Sequence, residues 1–119
     1  MRILAVEDDP LVGRLLTRML RSLGHATTLA LDAAAALDHL STMEFDLLIT
    51  DHGLPDQSGA ELAEAVRASW PTLPIILVSG WGAEVPPGLV DAKLDKPYTH
   101  EQLQAALAAA WPPGSQAAE

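Results

Sequence analysis

The sequence contains no cysteine, few aromatic residues and no long hydrophobic run. Without cysteine, the chain forms neither disulfides nor thiolate metal sites. No apolar run approaches the ~20 residues of a membrane span, and residues 1–6 are typical of a strand, without the long apolar region of a signal peptide. We therefore expect a cytoplasmic protein with no membrane partner.

Basic residues are also scarce, since 7 Lys and Arg stand against 16 Asp and Glu, for a net charge of −9. This balance argues against direct nucleic-acid binding, which needs a basic surface. It suits a cation site or a basic partner. Arg14, Arg18 and Arg21 lie close together on the first predicted helix. They form either a solvated helix face or a docking surface for a partner protein.

The length of 119 residues suits one domain, which we assign to residues 1–113, with a frayed tail at 114–119. Short apolar runs alternate with helical patterns. This alternation predicts an α/β fold with a parallel sheet and helices on both faces. Strands are predicted at 2–6, 25–30, 46–50, 74–79 and 92–95. Helices are predicted from Pro10 to a stop at Gly24, over 33–43, and from capping boxes at Ser58 and Thr99.

Apolar side chains recur along one face of the first predicted helix, opposite the three arginines. These side chains are Leu11, Val12, Leu15, Leu16, Met19, Leu20 and Leu23. Asp9 is assigned as the cap of this helix. Met19 and Met43 are assigned to the core.

The segment from Asp46 to Gly59 contains an apolar strand that ends on an acid, Asp51. Open α/β sheets bind ligands outside the carboxyl ends of their strands. Taken alone, however, Asp51 is more typical of a turn or strand-capping aspartate than of a nucleophile. Its interpretation depends on which other residues lie beside it.

Chemically notable residues follow four predicted strands: the acids 7–9, Asp51, Ser79 and Lys96. They converge if the sheet has the flavodoxin-like order 2-1-3-4-5. Clustered carboxylates repel one another unless a cation is present, and an all-oxygen ligand set suits Mg²⁺. Asp51 can then attack a phosphoryl group, while Lys96 and the Ser79 hydroxyl stabilise the charge.

At these residues the chain resembles the receiver domains of two-component response regulators. The resemblance covers about residues 2–111. It rests on an acidic pair after the first strand, on Asp51 followed by Leu54-Pro55 and Gly59, on Ser79-Gly80, and on Lys96-Pro97-Tyr98.

The resemblance implies that Asp51 accepts a phosphoryl group from a phosphohistidine of a sensor kinase or phosphotransfer protein. It implies Mg²⁺ as cofactor, for which Mn²⁺ can substitute, bound directly by Asp8 and Asp51, through water by Glu7, and by the Gly53 backbone carbonyl. Ser79 would be the switch hydroxyl and Lys96 the lysine that contacts the phosphoryl group. Such a protein is not an enzyme beyond its own phosphorylation and dephosphorylation. It signals through a downstream protein or relays phosphate.

The sequence departs from the family pattern in two places. Only seventeen positions separate Ser79 from Lys96, and residues 80–91 include two glycines and an adjacent proline pair before Gly88. We therefore predict that the family's fourth helix, which would lie between the fourth and fifth strands, is missing, very short or mobile. Lys93 stands where receivers usually carry a switch aromatic. Trp81 could act as a substitute gate, or it could simply pack over the gap.

Two other function classes remain open. A phosphohydrolase of the haloacid type would need a second acid two residues after the nucleophile, where this chain has Gly53. A pseudo-receiver serving only as an interaction module should lack the site residues, which are all present here. The chain could also be a domain excised from a hybrid kinase or regulator. Met1, and an end about eight residues after the last helix, favour a stand-alone protein with no output domain.

Overall fold

The computed structural model describes residues 1–80 and 84–111. The predicted gate Trp81 and the predicted tail at 114–119 lie outside these residues. Along the described chain, the elements are β1 (Arg2–Val6), α1 (Pro10–Ser22), β2 (Ala26–Ala30), α2 (Ala33–Thr42), β3 (Leu47–Asp51), α3 (Gly59–Ser69), β4 (Ile75–Ser79), β5 (Ala92–Asp95) and α4 (His100–Ala110).

The five strands form one parallel sheet in the order β2-β1-β3-β4-β5, which confirms the predicted topology. The pairing register brings the ends of neighbouring strands level. Val6 pairs with Thr50, Asp51 pairs with Val78, and Ser79 pairs with Asp95. The residues that follow β1, β3, β4 and β5 are therefore brought to the same edge of the sheet.

Two apolar layers cover the two faces of the sheet. Because successive strand residues point to opposite faces, Ile3 packs with α1 and α4, whereas Leu4 packs with α2 and α3. β4 is buried along its whole length. Each face of the sheet thus has its own core, and these two cores hold the carboxyl edge of the sheet in place.

The predicted helix caps are confirmed. The Asp9 carboxylate accepts the backbone N–H groups of Leu11 and Val12, at 2.9 and 3.3 Å. Ser58 and Thr99 each begin a complete capping box. Gly24 follows α1 with φ of +93°, a conformation that favours glycine.

The core-facing side of α1 agrees with the prediction only in part, since Leu16 and Leu20 are buried as predicted but Leu11 and Leu15 are not. The buried residues are Gly13, Leu16 and Leu20, while Leu11 and Leu15 are 62% and 50% exposed. A Cβ on Gly13 would lie 2.9 Å from the Leu29 side chain of β2, so the absence of a side chain lets this part of the helix approach the sheet closely. As a result, one edge of the apolar stripe is exposed to solvent. The assignment of Met43 to the core was also wrong, since it is 37% exposed.

Residues 84–91, the described part of the connection between β4 and β5, contain no helix, as predicted. Arg67 of α3 fastens this segment. Its guanidinium donates to the carbonyls of Pro71, Leu73 and Leu89 and to the Asp91 carboxylate. Asp91 also accepts the backbone N–H of Ile75 at 2.8 Å. Side-chain and backbone hydrogen bonds thus hold a segment that has no helix of its own.

Within the described ranges, the longest helix has 13 residues, and none is long and apolar enough to cross a membrane.

Candidate functional site

The carboxyl edge of the sheet brings together an acidic cluster formed by Glu7, Asp8 and Asp51. One carboxylate oxygen from each lies within 4.8 Å of the others. Glu7 is buried, Asp8 is exposed and Asp51 is partly buried. This arrangement follows from the sheet order, because β1 and β3 are neighbours that end at the same level.

Backbone contacts hold Glu7 in place. Its backbone N–H donates to the Ala30 carbonyl, and its Oε2 accepts the Asp9 N–H at 3.0 Å. Burial raises the pKa of Glu7, and the nearby Asp51 charge adds to this, although the hydrogen bonds from Asp9 and Lys96 oppose it. Keeping a charged acid at this buried position therefore lowers the stability of the folded protein.

Lys96 lies between two of the acids. Its Nζ is 2.9 Å from Asp51 Oδ1 and 3.1 Å from Glu7 Oε1. Burial lowers the pKa of Lys96, but the hydrogen bonds to Asp51 and Glu7 outweigh it and raise that pKa. The backbone N–H of Lys96 donates to the Ser79 carbonyl, and the peptide bond to Pro97 is cis. The lysine is thus anchored through both its backbone and its side chain.

The acids fit a divalent cation. All the ligand atoms are oxygens, the Asp8 carboxylate is exposed, and among the described residues no salt bridge reaches Asp51 Oδ2. Mg²⁺ prefers oxygen ligands and keeps several waters, which an open cluster of this kind allows. The cluster can therefore hold a divalent cation.

The loop after β3 approaches Asp51 closely at two glycines. A Cβ on Gly53 would lie 3.9 Å from Asp51 Oδ2, so the Gly53 backbone adjoins this oxygen of the carboxylate. A Cβ on Gly59 would lie 2.8 Å from the His52 Cα and would also collide with the Asp51 carbonyl. Only glycine allows α3 to begin this close to the end of β3.

Ser79 and Tyr98 border the site on the other side. Ser79 ends β4, is 7% exposed and shares the edge with the acids. Tyr98 is partly buried against the core formed with α1 and α4. Burial raises the pKa of its hydroxyl, while the Lys96 charge opposes this effect.

Sequence reasoning missed Asp56. This exposed acid in the β3–α3 loop accepts the backbone N–H groups of Ala33 and Ala34, at 3.1 and 3.0 Å. The hydrogen bond from Ala33 is the main cause of the lowered pKa of Asp56. The only sequence signal is an acid in a proline turn, which gives no hint of a partner 23 residues away.

The remaining candidates lie outside the cluster. Arg14 and Arg18 are exposed on α1, next to the exposed Leu11 and Leu15. Lys93 is exposed on β5.

Comparison with known proteins gives a consistent result. The family model described as the response regulator receiver domain matches residues 3–108. The response regulator protein PmrA of Pseudomonas aeruginosa is 37% identical over 114 residues, covering 92% of this chain and 52% of that protein. The sensor histidine kinase RcsC of Salmonella typhi is 34% identical, covering 91% of this chain and 12% of the kinase. The chain spans about half the length of the curated regulators it matches.

Two solved structures are also similar. The signal receiver domain of an HD domain-containing protein from Pseudomonas fluorescens has a TM-score of 0.87 and 27% identity, covering 99% of this chain and 98% of that one. The response regulator TrrA of Thermotoga maritima, solved in complex with Mg²⁺-BeF, has a TM-score of 0.82 and 27% identity, covering 87% of this chain and 93% of that one.

Proposed function

Because this chain belongs to the response regulator receiver-domain family of two-component systems, we propose that it is a cytoplasmic phosphoacceptor whose Asp51 takes a phosphoryl group from a phosphohistidine. The donor would be a sensor kinase or a histidine phosphotransfer protein. The observation that carries the proposal is the placement of Lys96 between Asp51 and Glu7, two members of the acidic cluster that also contains Asp8.

Lys96 holds the Asp51 carboxylate in place for the transfer. Its ammonium lies 2.9 Å from Oδ1, and one carboxylate oxygen of Asp51 forms the bond to phosphorus. The N–P bond of the phosphohistidine breaks, and its electron pair returns to the imidazole nitrogen. Lys96 then remains within reach of the oxygens of the new acyl phosphate, and the Ser79 hydroxyl offers a second donor from the end of β4.

The cation site belongs to the same proposal. Asp8 and Asp51 would hold Mg²⁺ directly, Glu7 would act through water, and the Gly53 carbonyl would complete the protein ligands. When bound, Mg²⁺ supplies positive charge to the transferred phosphoryl oxygens and offsets the repulsion among the acids.

For donor docking, we propose the exposed edge of α1. Leu11 and Leu15 supply apolar surface, and Arg14 and Arg18 supply positive charge on an otherwise acidic protein. The edge begins two residues after Asp9, so a partner seated there reaches the acids. A partner with an apolar helix face and acidic flanks would match this edge.

Phosphorylation with acetyl phosphate and Mg²⁺ tests the function. We expect one phosphoryl group per chain, measured by intact mass. It should be lost in Asp51→Asn and with a chelator, and kept in Asp38→Asn, which removes an exposed acid from α2. No labelling of the wild type would contradict the proposal and favour an interaction module. Rapid turnover of many phosphoesters would contradict it in favour of a hydrolase.

A further inference from the structure

The β3–α3 loop leaves the site and returns to it within seven residues, 52–58. Its base is closed by hydrogen bonds. The His52 N–H donates to the Val78 carbonyl at 2.8 Å, and the Gly59 N–H donates to the His52 carbonyl at 2.7 Å. Gly53 and Ser58 form an isolated bridge. These contacts fix the two ends of the loop and leave its tip, around Asp56, to be held by other means.

Asp56 holds the tip against a different helix. Its Oδ1 accepts the Ala33 N–H and its Oδ2 accepts the Ala34 N–H, so both oxygens engage the first turn of α2. Asp32, the local cap, takes the Ala35 N–H instead, at 2.7 Å. The N–H groups that the start of α2 leaves without helical partners are therefore divided between the local cap and a residue of a distant loop.

The start of α2 is a firm anchor. Ala33 and Ala36 are both fully buried in the core that α2 shares with α3. Leu54, in the same loop as Asp56, packs against that core. A carboxylate that bonds two successive N–H groups fixes both the distance and the orientation of the chain that carries it.

From these contacts we infer that Asp56 is a positioning residue for the cation site, which ties the β3–α3 loop to α2 and so holds the Gly53 peptide beside Asp51. Gly53 lies inside the fastened loop, three residues before Asp56, and its backbone adjoins Asp51 Oδ2. The bridge to Ser58 restrains Gly53 on one side, and the tether at Asp56 restrains the rest of the loop that carries this peptide. The inference rests on the proposed function, because Gly53 matters only if a cation binds there.

Calorimetric titration with MgCl₂ tests the inference. Asp56→Ala should weaken Mg²⁺ binding by ~10-fold, the lower end of the effect of removing an outer partner of a metal ligand. Asp56→Asn, which retains one acceptor oxygen, should fall between this variant and the wild type. Faster exchange of the Ala33 and Ala34 amides in Asp56→Ala would show that the tether itself is lost.

Asp32→Ala is the matched control. It removes one acid and one cap from the same end of α2 but leaves the loop tether. Mg²⁺ affinity should stay within ~2-fold of the wild type in this variant, because none of its lost contacts reaches the site. Equal losses of affinity in the two alanine variants, or unchanged affinity in Asp56→Ala, would overturn the inference while the proposed function stands. A wild-type protein that binds no Mg²⁺ would refute both.

Discussion

Strands β3 and β4 end side by side, but the chain leaves them in different ways. After β3, the loop is bonded at its base, tied to α2 by Asp56 and followed at once by an 11-residue helix. After β4, the described residues 84–91 contain no helix and are held by Arg67 and Asp91. The first connection follows the proposed phosphoacceptor Asp51 and carries Gly53, a proposed cation ligand. The second lies where receivers usually relay the signal.

The residues that form the proposed active site are therefore held by different contacts from those that hold the connection after β4. The contacts among Glu7, Asp51 and Lys96 are made by the ends of β1, β3 and β5, and none requires a helix after β4. The exposed Lys93 and the helix-free segment change the surface through which phosphorylation would be reported. The proposed reaction therefore does not depend on a helix in residues 84–91.

The largest effect is expected at Lys96. Lys96→Met should slow phosphorylation by acetyl phosphate ~100-fold, because it removes the cation that faces both Asp51 and the transferred phosphoryl group. Phosphorylated and unmodified protein can be followed over time by intact mass. Lys93→Met removes the same charge from exposed β5 and should change the rate less than ~2-fold. Equal loss in both variants would mean that general charge, and not the geometry of the site, sets the rate.

A smaller effect, on stability alone, is expected at Arg67. Arg67→Ala should lower the free energy of unfolding by about 2 kcal/mol, because it removes the donor to the Leu73 and Leu89 carbonyls and the ion pair with Asp91. Urea denaturation measures this change. Arg21→Ala, which loses one long hydrogen bond to Thr27, is the control. The phosphorylation rate of Arg67→Ala should stay near that of the wild type. A large loss of that rate would show that the proposed site depends on the connection after β4, contrary to this account.

The smallest effect concerns Glu7 and pH. The pKa of Glu7 is raised in the folded protein, so the stability linked to its proton is present at low pH and is lost as the pH rises through that pKa. Without divalent cations, Glu7→Gln should therefore gain stability relative to the wild type at pH 7 compared with pH 4. Urea denaturation at both values checks this, with Glu64→Gln on exposed α3 as the charge control. A relative loss at pH 7 would show that the pairing with Lys96 outweighs burial.

Much of the fold and of the candidate site could be predicted from the sequence, because strand ends and helix caps are local signals. An apolar run that stops on an acid predicts that a strand ends at Asp51, and the capping boxes at Ser58 and Thr99 predict where two helices begin. The burial of Gly13 and the exposure of Leu11 and Leu15 on α1 could not be predicted. Apolar periodicity ranks side chains by hydrophobicity, whereas Gly13 faces the sheet because it has no side chain.

The partners of Asp56 and Arg67 were also beyond prediction from the sequence. Both side chains bond mainly to backbone groups of other loops and helices, and every residue except proline has the same N–H and carbonyl. Such contacts leave no residue pattern to recognise. The acidic cluster was predictable for the opposite reason, since each member lies directly after a predicted strand.

Locating the phosphoryl group tests the central claim most directly. After incubation with acetyl phosphate and Mg²⁺, borohydride reduction converts an aspartyl phosphate to homoserine, and peptide mass spectrometry finds its position. We predict homoserine at position 51 alone, and none when Mg²⁺ is chelated. Homoserine at another position, or equal modification of Asp51 without a divalent cation, would contradict the account.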